Sequence, residues 1–342
     1  MSAVANGATL LCNGHEELCP RPYNDVTYIS THASFAVTSK STPAKMGTQY
    51  FGIQQQLNDG IRGLHLNITQ GATGSDVSLC YPDCNAYNGG SLKDTLTVVK
   101  NWLDSNQRDV VTIFLESALL KASPAAVLKA FADSGIEKYA FKGKPLTTGW
   151  PSLESMIGNR TTLVVFSDDA GLVAANTKGY FIPHGDIVLR LDGPFTYGSE
   201  WTCGPWNRRY ESILVIPHYI VQTATYNGVT YKDMPYPFNL GTTNGYQYEF
   251  HAITCRGGQS IWINFMEVDY YSEGDVKTPT LKLNALPYPN DNVANFYPQF
   301  FDATVEIVGV SASPPSLLAS VSGLVVLAAC LSLTLVFDAL RI

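Results

Sequence analysis

The sequence predicts an α/β chain folded as a single TIM-like (β/α)8 barrel that ends in an apolar C-terminal tail. Short β-branched runs alternate with helix-patterned stretches, as parallel βαβ units require. Eight strand candidates can be picked out, the number that closes a barrel. About 310 of the 342 residues remain once the tail is set aside, a length that suits one large barrel. A doubly wound open sheet is the rival, but no G-x-G-x-x-G follows the first strand.

The strand candidates, in order, are Val26–Ser30, Gly63–Ile68, Val77–Leu79, Val110–Leu115, Leu163–Phe166, Ile187–Leu191, Ile213–Ile216 and Ile261–Val268. Each is a short run rich in Val, Ile, Leu and aromatic residues. Helices are expected over Leu92–Asn106, where Leu92, Leu96, Val99 and Leu103 recur at helical spacing, and over Pro124–Ser134. The loops after the sixth and seventh strands are long, and 226–243 is rich in Gly, Pro and Asn. Residues 1–25 form a lead-in, 26–310 the barrel, and 311–342 a small-residue linker followed by the tail.

Composition is globular, with 45% hydrophobic and 15% charged residues, so the chain can offset its conformational entropy by burial. A formal charge of −7 without a basic run argues against nucleic acid as a partner. Of the seven cysteines, six precede the tail, which suggests disulfides formed in an oxidising compartment. Cys12 with Cys19, Cys80 with Cys84, and Cys203 with Cys255 is the preferred pairing among several; free buried thiols are the other reading. Zinc is not expected, because the C-x3-C at Cys80 has no second Cys/His pair at ligand spacing.

Leu317–Phe337 carries no charge and is long enough to cross a bilayer as a helix. It follows the small and breaker residues Ser311-Ala312-Ser313-Pro314-Pro315-Ser316, the pattern of a GPI-attachment signal. A retained single-span anchor is the alternative, and either one tethers the protein to a membrane at the cell surface. Met1–Leu11 has neither the charged nor the apolar region of an export signal. Such a signal is therefore expected upstream of Met1, or trimmed away.

Chemistry in a barrel gathers at the C-terminal ends of the strands. Thr31-His32, Glu116, His218 and Asp269 stand at four such ends. In the second strand Leu64, Leu66 and Ile68 face one way, so His65 and Asn67 face the interior or its mouth. Asn67 therefore cannot accept a glycan despite its sequon, whereas Asn159-Arg160-Thr161 in an expected loop can.

These residues resemble a known family. C-N-G-H-E-E-L-C-P-R-P-Y-N-D-V-T-Y-I-S-T-H-A-S-F (Cys12–Phe35) is similar to the opening of the fungal PLC-like phosphodiesterases. L-N-D-G-I-R-G-L (Leu57–Leu64), L-C-Y-P-D-C (Leu79–Cys84), V-K-N-W-L-D-S-N-Q-R-D-V-V-T-I-F-L (Val99–Leu115) and N-F-M-E-V-D-Y-Y-S-E-G-D-V, which ends at Val276, extend the likeness over nearly all of the chain before the tail. The resemblance implies a barrel related to phosphatidylinositol-specific phospholipase C. In such enzymes one histidine takes the proton of the attacking inositol hydroxyl and a second protonates the leaving oxygen.

Carried over residue by residue, the resemblance makes His32 the general base and Asp269 the acid that orients it. It also puts Ala33 where an acidic residue usually follows the base, and Tyr81 where the second histidine usually stands. His65 or Tyr81 would then substitute as the acid, with Asn67, Glu116 and His218 binding substrate. The family also needs positive charge at the phosphate, from an Arg or from Ca2+, which Glu116 or Asp269 would hold. Two functions follow as expectations: a phospholipase C-type hydrolase of a phosphoinositide or related phosphodiester at the outer membrane face, or a catalytically silent surface barrel. In the second, Trp201, Trp206, Tyr210, Tyr270 and Tyr271 would line a headgroup or carbohydrate groove.

Overall fold

The computed structural model describes residues 10–41, 46–117, 121–143, 145–191, 195–196, 201–204, 211–259 and 262–287. All lie in the first of two compact units, Met1–Pro289. The apolar tail, its linker, Trp206 and Tyr210 fall outside the described residues. No described helix is long and apolar enough to cross a membrane.

In chain order the strands are β1 (Tyr28–Thr31), β2 (Gly63–Gln70), β3 (Val77–Cys80), β4 (Asn88–Ser91), β5 (Val111–Ser117), β6 (Leu163–Ser167), β7 (Phe181–Pro183), β8 (Val188–Arg190), β9 (Ile213–Pro217), β10 (Val221–Tyr226), β11 (Val229–Pro235) and β12 (Phe265–Val268). The helices are α1 (Ile53–Asn58), α2 (Leu92–Ser105), α3 (Pro124–Ser134), α4 (Pro145–Thr148), α5 (Leu153–Gly158), α6 (Ala170–Ala175), α7 (His184–Ile187), α8 (Leu240–Thr242), α9 (Tyr248–Gln259) and α10 (Lys277–Leu283). Local signals set the two longest helices outside the β9–β12 region. The Ser91 hydroxyl caps α2 by accepting from the Asp94 amide, and Leu92, Leu96, Val99, Trp102 and Leu103 bury one face. Helix α3 has Pro124 in its first turn and stops at Gly135, whose φ of 73° is the left-handed conformation that glycine tolerates best.

Eight parallel strands form the barrel wall, in the order β7-β6-β5-β2-β1-β12-β9-β8. The two ends of this path, β7 and β8, are consecutive in the chain and joined by α7 alone. Among the described residues no ladder links them, so the wall has one unpaired seam. The count of eight agrees with the sequence but its membership differs in one place. Val77–Leu79 belongs to β3, which pairs antiparallel with β2 and leads through β4 as an excursion from the wall. The strand that replaces it is β7, three residues ending in Pro183, too short to carry a periodicity of its own.

Alternation along the strands sorts the core into two layers. Leu64, Leu66 and Ile68 pack outward with Ile113, Leu115 and Val165 and with the apolar faces of α2 and α3. Inside the cylinder lies an aromatic plug: Tyr28 stacks on Phe265 with ring centres 5.0 Å apart, and Phe114 meets Phe265 edge-on at 5.1 Å and Phe166 at 5.3 Å. Gly63 makes room for it. A Cβ there would come within 2.5 Å of the Ser30 Cβ and 2.8 Å of the Phe265 ring.

The three disulfides are Cys12–Cys19, Cys80–Cys84 and Cys203–Cys255, the pairing preferred from the sequence. Gly63→Ala should therefore overpack the plug and destabilise the fold by about 1–3 kcal/mol. Urea unfolding of the variant should show a lowered midpoint with unchanged slope; an unchanged midpoint would mean that the interior has slack.

Candidate active site

Above the aromatic plug the inward-facing residues turn polar, and the barrel opens at the C-terminal strand ends into a cavity of about 520 Å³. On one wall stands His32, immediately after β1. Its amide bonds the Val268 carbonyl of β12 at 3.1 Å, and its own carbonyl accepts from the Thr48 hydroxyl at 2.9 Å and the Gln49 amide at 3.2 Å. The chain then turns sharply through Ala33, whose φ of 36° is uncommon for a residue with a Cβ. The His32 ring lies flat on Tyr219 (4.2 Å, 2°) and edge-on to Tyr81 (4.8 Å, 89°), which fixes its plane.

Asp269, just past β12, accepts from His32 Nδ1 at 3.0 Å. A carboxylate cannot donate, so the imidazole carries a proton on Nδ1 and turns Nε2 to the cavity, where it has no hydrogen bond among the described residues. Burial alone would lower the His32 pKa. The Asp269 carboxylate and its hydrogen bond, helped by Glu267, outweigh burial and the opposing Arg190 charge, so the imidazole is pushed above its ordinary value.

The cavity floor is an ionic clamp. Arg190 Nη1 donates to Glu116 at 2.7 Å, and Nη2 donates to the two oxygens of Glu267 at 2.6 and 2.9 Å. Glu267 is fully buried. Burial would raise the Glu116 pKa, but Arg190 and the His65 hydrogen bond hold it well below the usual carboxylate range. Asn67 Nδ2 donates to the other Glu116 oxygen at 2.9 Å and leaves its Oδ1 buried without a partner.

Most of the expected residues converge here. His32, Asn67, Tyr81 and Glu116 line the cavity, and Asp269 stands directly behind His32. Three do not fit their expected roles. His65 lies one row lower: it donates from Nδ1 to Glu116 at 2.8 Å, stacks on Phe114 at 4.3 Å, and does not line the cavity. Its Nε2 is buried without a partner, so it supports the clamp instead of reaching a leaving group. His218 is fully buried outside the cavity, between His251 (3.0 Å) and the Thr243 carbonyl (2.8 Å), so it cannot contact substrate here. Tyr81 stays in place, but its hydroxyl donates to the Asp233 carbonyl at 2.7 Å, and burial raises its pKa well above that of free tyrosine. It serves as a wall for His32 and is a poor proton donor at neutral pH.

Sequence reasoning missed Arg190, Glu267, Tyr219 and His184. The available signal was alternation. Val188 and Arg190 share a face in β8, and a charged side chain on the inner face of a strand is costly unless it has partners.

His65, Glu116 and Glu267 offer donor atoms close enough together for a metal ion. Ca2+ does not fit them: it wants six to eight oxygens, whereas one of these donors is an imidazole nitrogen and both carboxylates already accept hydrogen bonds from Arg190. Asp269 is likewise committed to His32. Arg190 is the one Lys or Arg side chain among the described residues that line the cavity.

The PI-PLC X family model matches residues 18–184. The chain is 32% identical over 207 residues to a PI-PLC X domain-containing protein 1 of Arthroderma benhamiae, a match covering 58% of this chain and 63% of that protein. It is 27% identical over 309 residues to an uncharacterized secreted protein of the same fungus, covering 81% of this chain and 64% of that one. The chain thus spans less than two thirds of either relative. Among solved structures it is similar to a variant of the phosphatidylinositol-specific phospholipase C from Staphylococcus aureus, with a TM-score of 0.55 at 14% identity over 79% of this chain and 95% of that one. The same enzyme from Listeria monocytogenes gives 0.50 at 12% identity over 78% and 96%. At these identities the structures show the fold.

Replacing Arg190 with Met should leave two carboxylates facing each other in a dry site and cost about 3 kcal/mol or more in unfolding free energy. The pH dependence should also invert. In the wild type the depressed Glu116 pKa gives stability that is present above the ordinary carboxylate range, about pH 4, and lost as pH falls further. In the variant the unpaired carboxylates should prefer their protonated forms, so acidification should stabilise it. Denaturation midpoints at pH 4 and pH 7 distinguish the two slopes.

Proposed function

From a chain whose residues 18–184 match the PI-PLC X family model, we propose a phospholipase C-type phosphodiesterase that cleaves a phosphoinositide or a related phosphodiester. The observation that carries this reading is the His32–Asp269 pair, held beside the Arg190 clamp at the mouth of a barrel.

A substrate hydroxyl placed against His32 Nε2 would lose its proton to that nitrogen as its oxygen attacks phosphorus. Asp269 fixes the tautomer and compensates the imidazolium that forms. A raised pKa makes His32 the stronger base. The Arg190 charge is outnumbered by the two carboxylates, but its Nε–H has no partner among the described residues, and the residue lines the cavity, so it remains available as a hydrogen-bond donor. That edge faces the negative charge developing on the phosphoryl oxygens, where a preorganised donor in a partly dry site is most effective. Tyr219 and Tyr81 keep the imidazole from rotating out of line.

We read the protein as exported, on the strength of its three disulfides and of a fungal relative named as secreted. The proposed tether is residues 311–342, by GPI attachment or a single span. Asn159, exposed at the end of α5, is the proposed glycan acceptor.

His32→Ala should lower phosphatidylinositol cleavage by about 10²–10⁴-fold. Asp269→Asn should reduce it less and move the rise of activity with pH to lower pH, because His32 loses the charge that raises its pKa. Turnover unaffected by His32→Ala would remove the mechanism. Headgroup binding with no turnover in the wild type would instead favour a surface-binding barrel, a reading that Tyr81, with its hydroxyl committed to Asp233, already fits.

A further inference from the structure

A phosphodiester cleaved by one imidazole needs a proton for its leaving oxygen, and the position after β3 offers only Tyr81. The chain has six histidines. His65 is buried in the clamp, His218 and His251 are buried against each other, and His15 lines a separate hollow with Asn13 and Arg62. Only His32 and His184 line the cavity of the candidate active site.

His184 follows β7 directly and begins α7. In the wall order, β7 is four strands from β1, which in an eight-strand ring is the opposite side. The two imidazoles therefore face the cavity from opposite walls, with the Arg190 clamp below. His184 is half-buried and makes no side-chain hydrogen bond among the described residues, so its ring nitrogens are not committed to structure.

We propose that His184 is the second catalytic group, the general acid that protonates the leaving oxygen, supplied from β7 in place of the position after β3. The inference rests on the phosphodiesterase reading above. The proton balance closes. His32 Nε2 takes the proton of the attacking hydroxyl as the new P–O bond forms. As the old P–O bond breaks, the protonated His184 passes its proton to the departing oxygen. Water then enters, and the two imidazoles exchange roles as the cyclic phosphodiester opens. The two imidazoles sit in different environments, and the productive form, neutral His32 with protonated His184, is the less populated of the two singly protonated forms. Burial pushes the His184 imidazole below its ordinary value, Arg190 reinforcing and Glu116 opposing, whereas His32 is pushed up. A depressed pKa makes the imidazolium a readier donor.

The test compares two esters of inositol phosphate, one with an alkyl leaving group (phosphatidylinositol) and one with 4-nitrophenol, which departs without a proton. His184→Gln should cut cleavage of the alkyl ester by about 10²-fold or more and that of the nitrophenyl ester by less than about tenfold. It should also abolish the fall of activity at high pH, with an unchanged thermal midpoint; His184→Asn should behave alike. Equal losses on both esters would mean a structural role, and no loss on either would remove His184 from the reaction. If the wild type cleaves neither ester, the phosphodiesterase reading itself fails. If it cleaves both and His184→Gln is silent, only the present inference does.

Discussion

The polar half of this barrel depends on Arg190 standing between Glu116 and Glu267. One of those carboxylates is wholly buried and the other partly so, at the top of an interior otherwise filled by aromatic rings. Two anions in such a place would be far too costly without a cation bonded to both. The guanidinium meets the need with a planar fork; His65 adds a second bond to the Glu116 oxygen that Arg190 holds, and Asn67 satisfies the other. The clamp fixes the ends of β2, β5, β8 and β12 with respect to one another, and the cavity takes its floor from it.

The second constraint is on His32. Its backbone is held by β12 and by Thr48 and Gln49, its ring by two tyrosines, and its Nδ1 proton by Asp269. The result is a single nitrogen presented to the cavity with raised basicity. The contacts to Val268 and Asp269 join segments far apart in the chain, and the parallel pairing of β1 with β12 brings them to His32.

Much of this was legible in the sequence. The alternation of Gly63–Ile68 placed His65 and Asn67 on the inner face, and the order of strand ends gathered His32, Glu116 and Asp269 at one mouth. Height within the barrel was not legible. A period of two says which face a side chain takes, but not whether its row lies in the clamp or at the rim, and that difference separates His65 from Asn67. Strand β7 was missed because three residues ending in proline carry no period, and His184 was missed with it. His218 was placed at a strand end correctly, yet the imidazole of His251, reached through α9, draws it away from the mouth. Arg190 was within an expected strand, but its two partners come from β5 and β12, and such pairing is set by the ring and not by spacing.

The ionisation of one imidazole decides whether the proposed chemistry is available. NMR titration of the histidines, with His32 assigned by its loss in His32→Ala, measures it directly. The account requires His32 to titrate above the free-histidine value of about 6.5, to fall toward or below that value in Asp269→Asn, and to retain its proton on Nδ1 when neutral. A His32 that titrates at or below 6.5 in the wild type and does not respond to Asp269→Asn would contradict it.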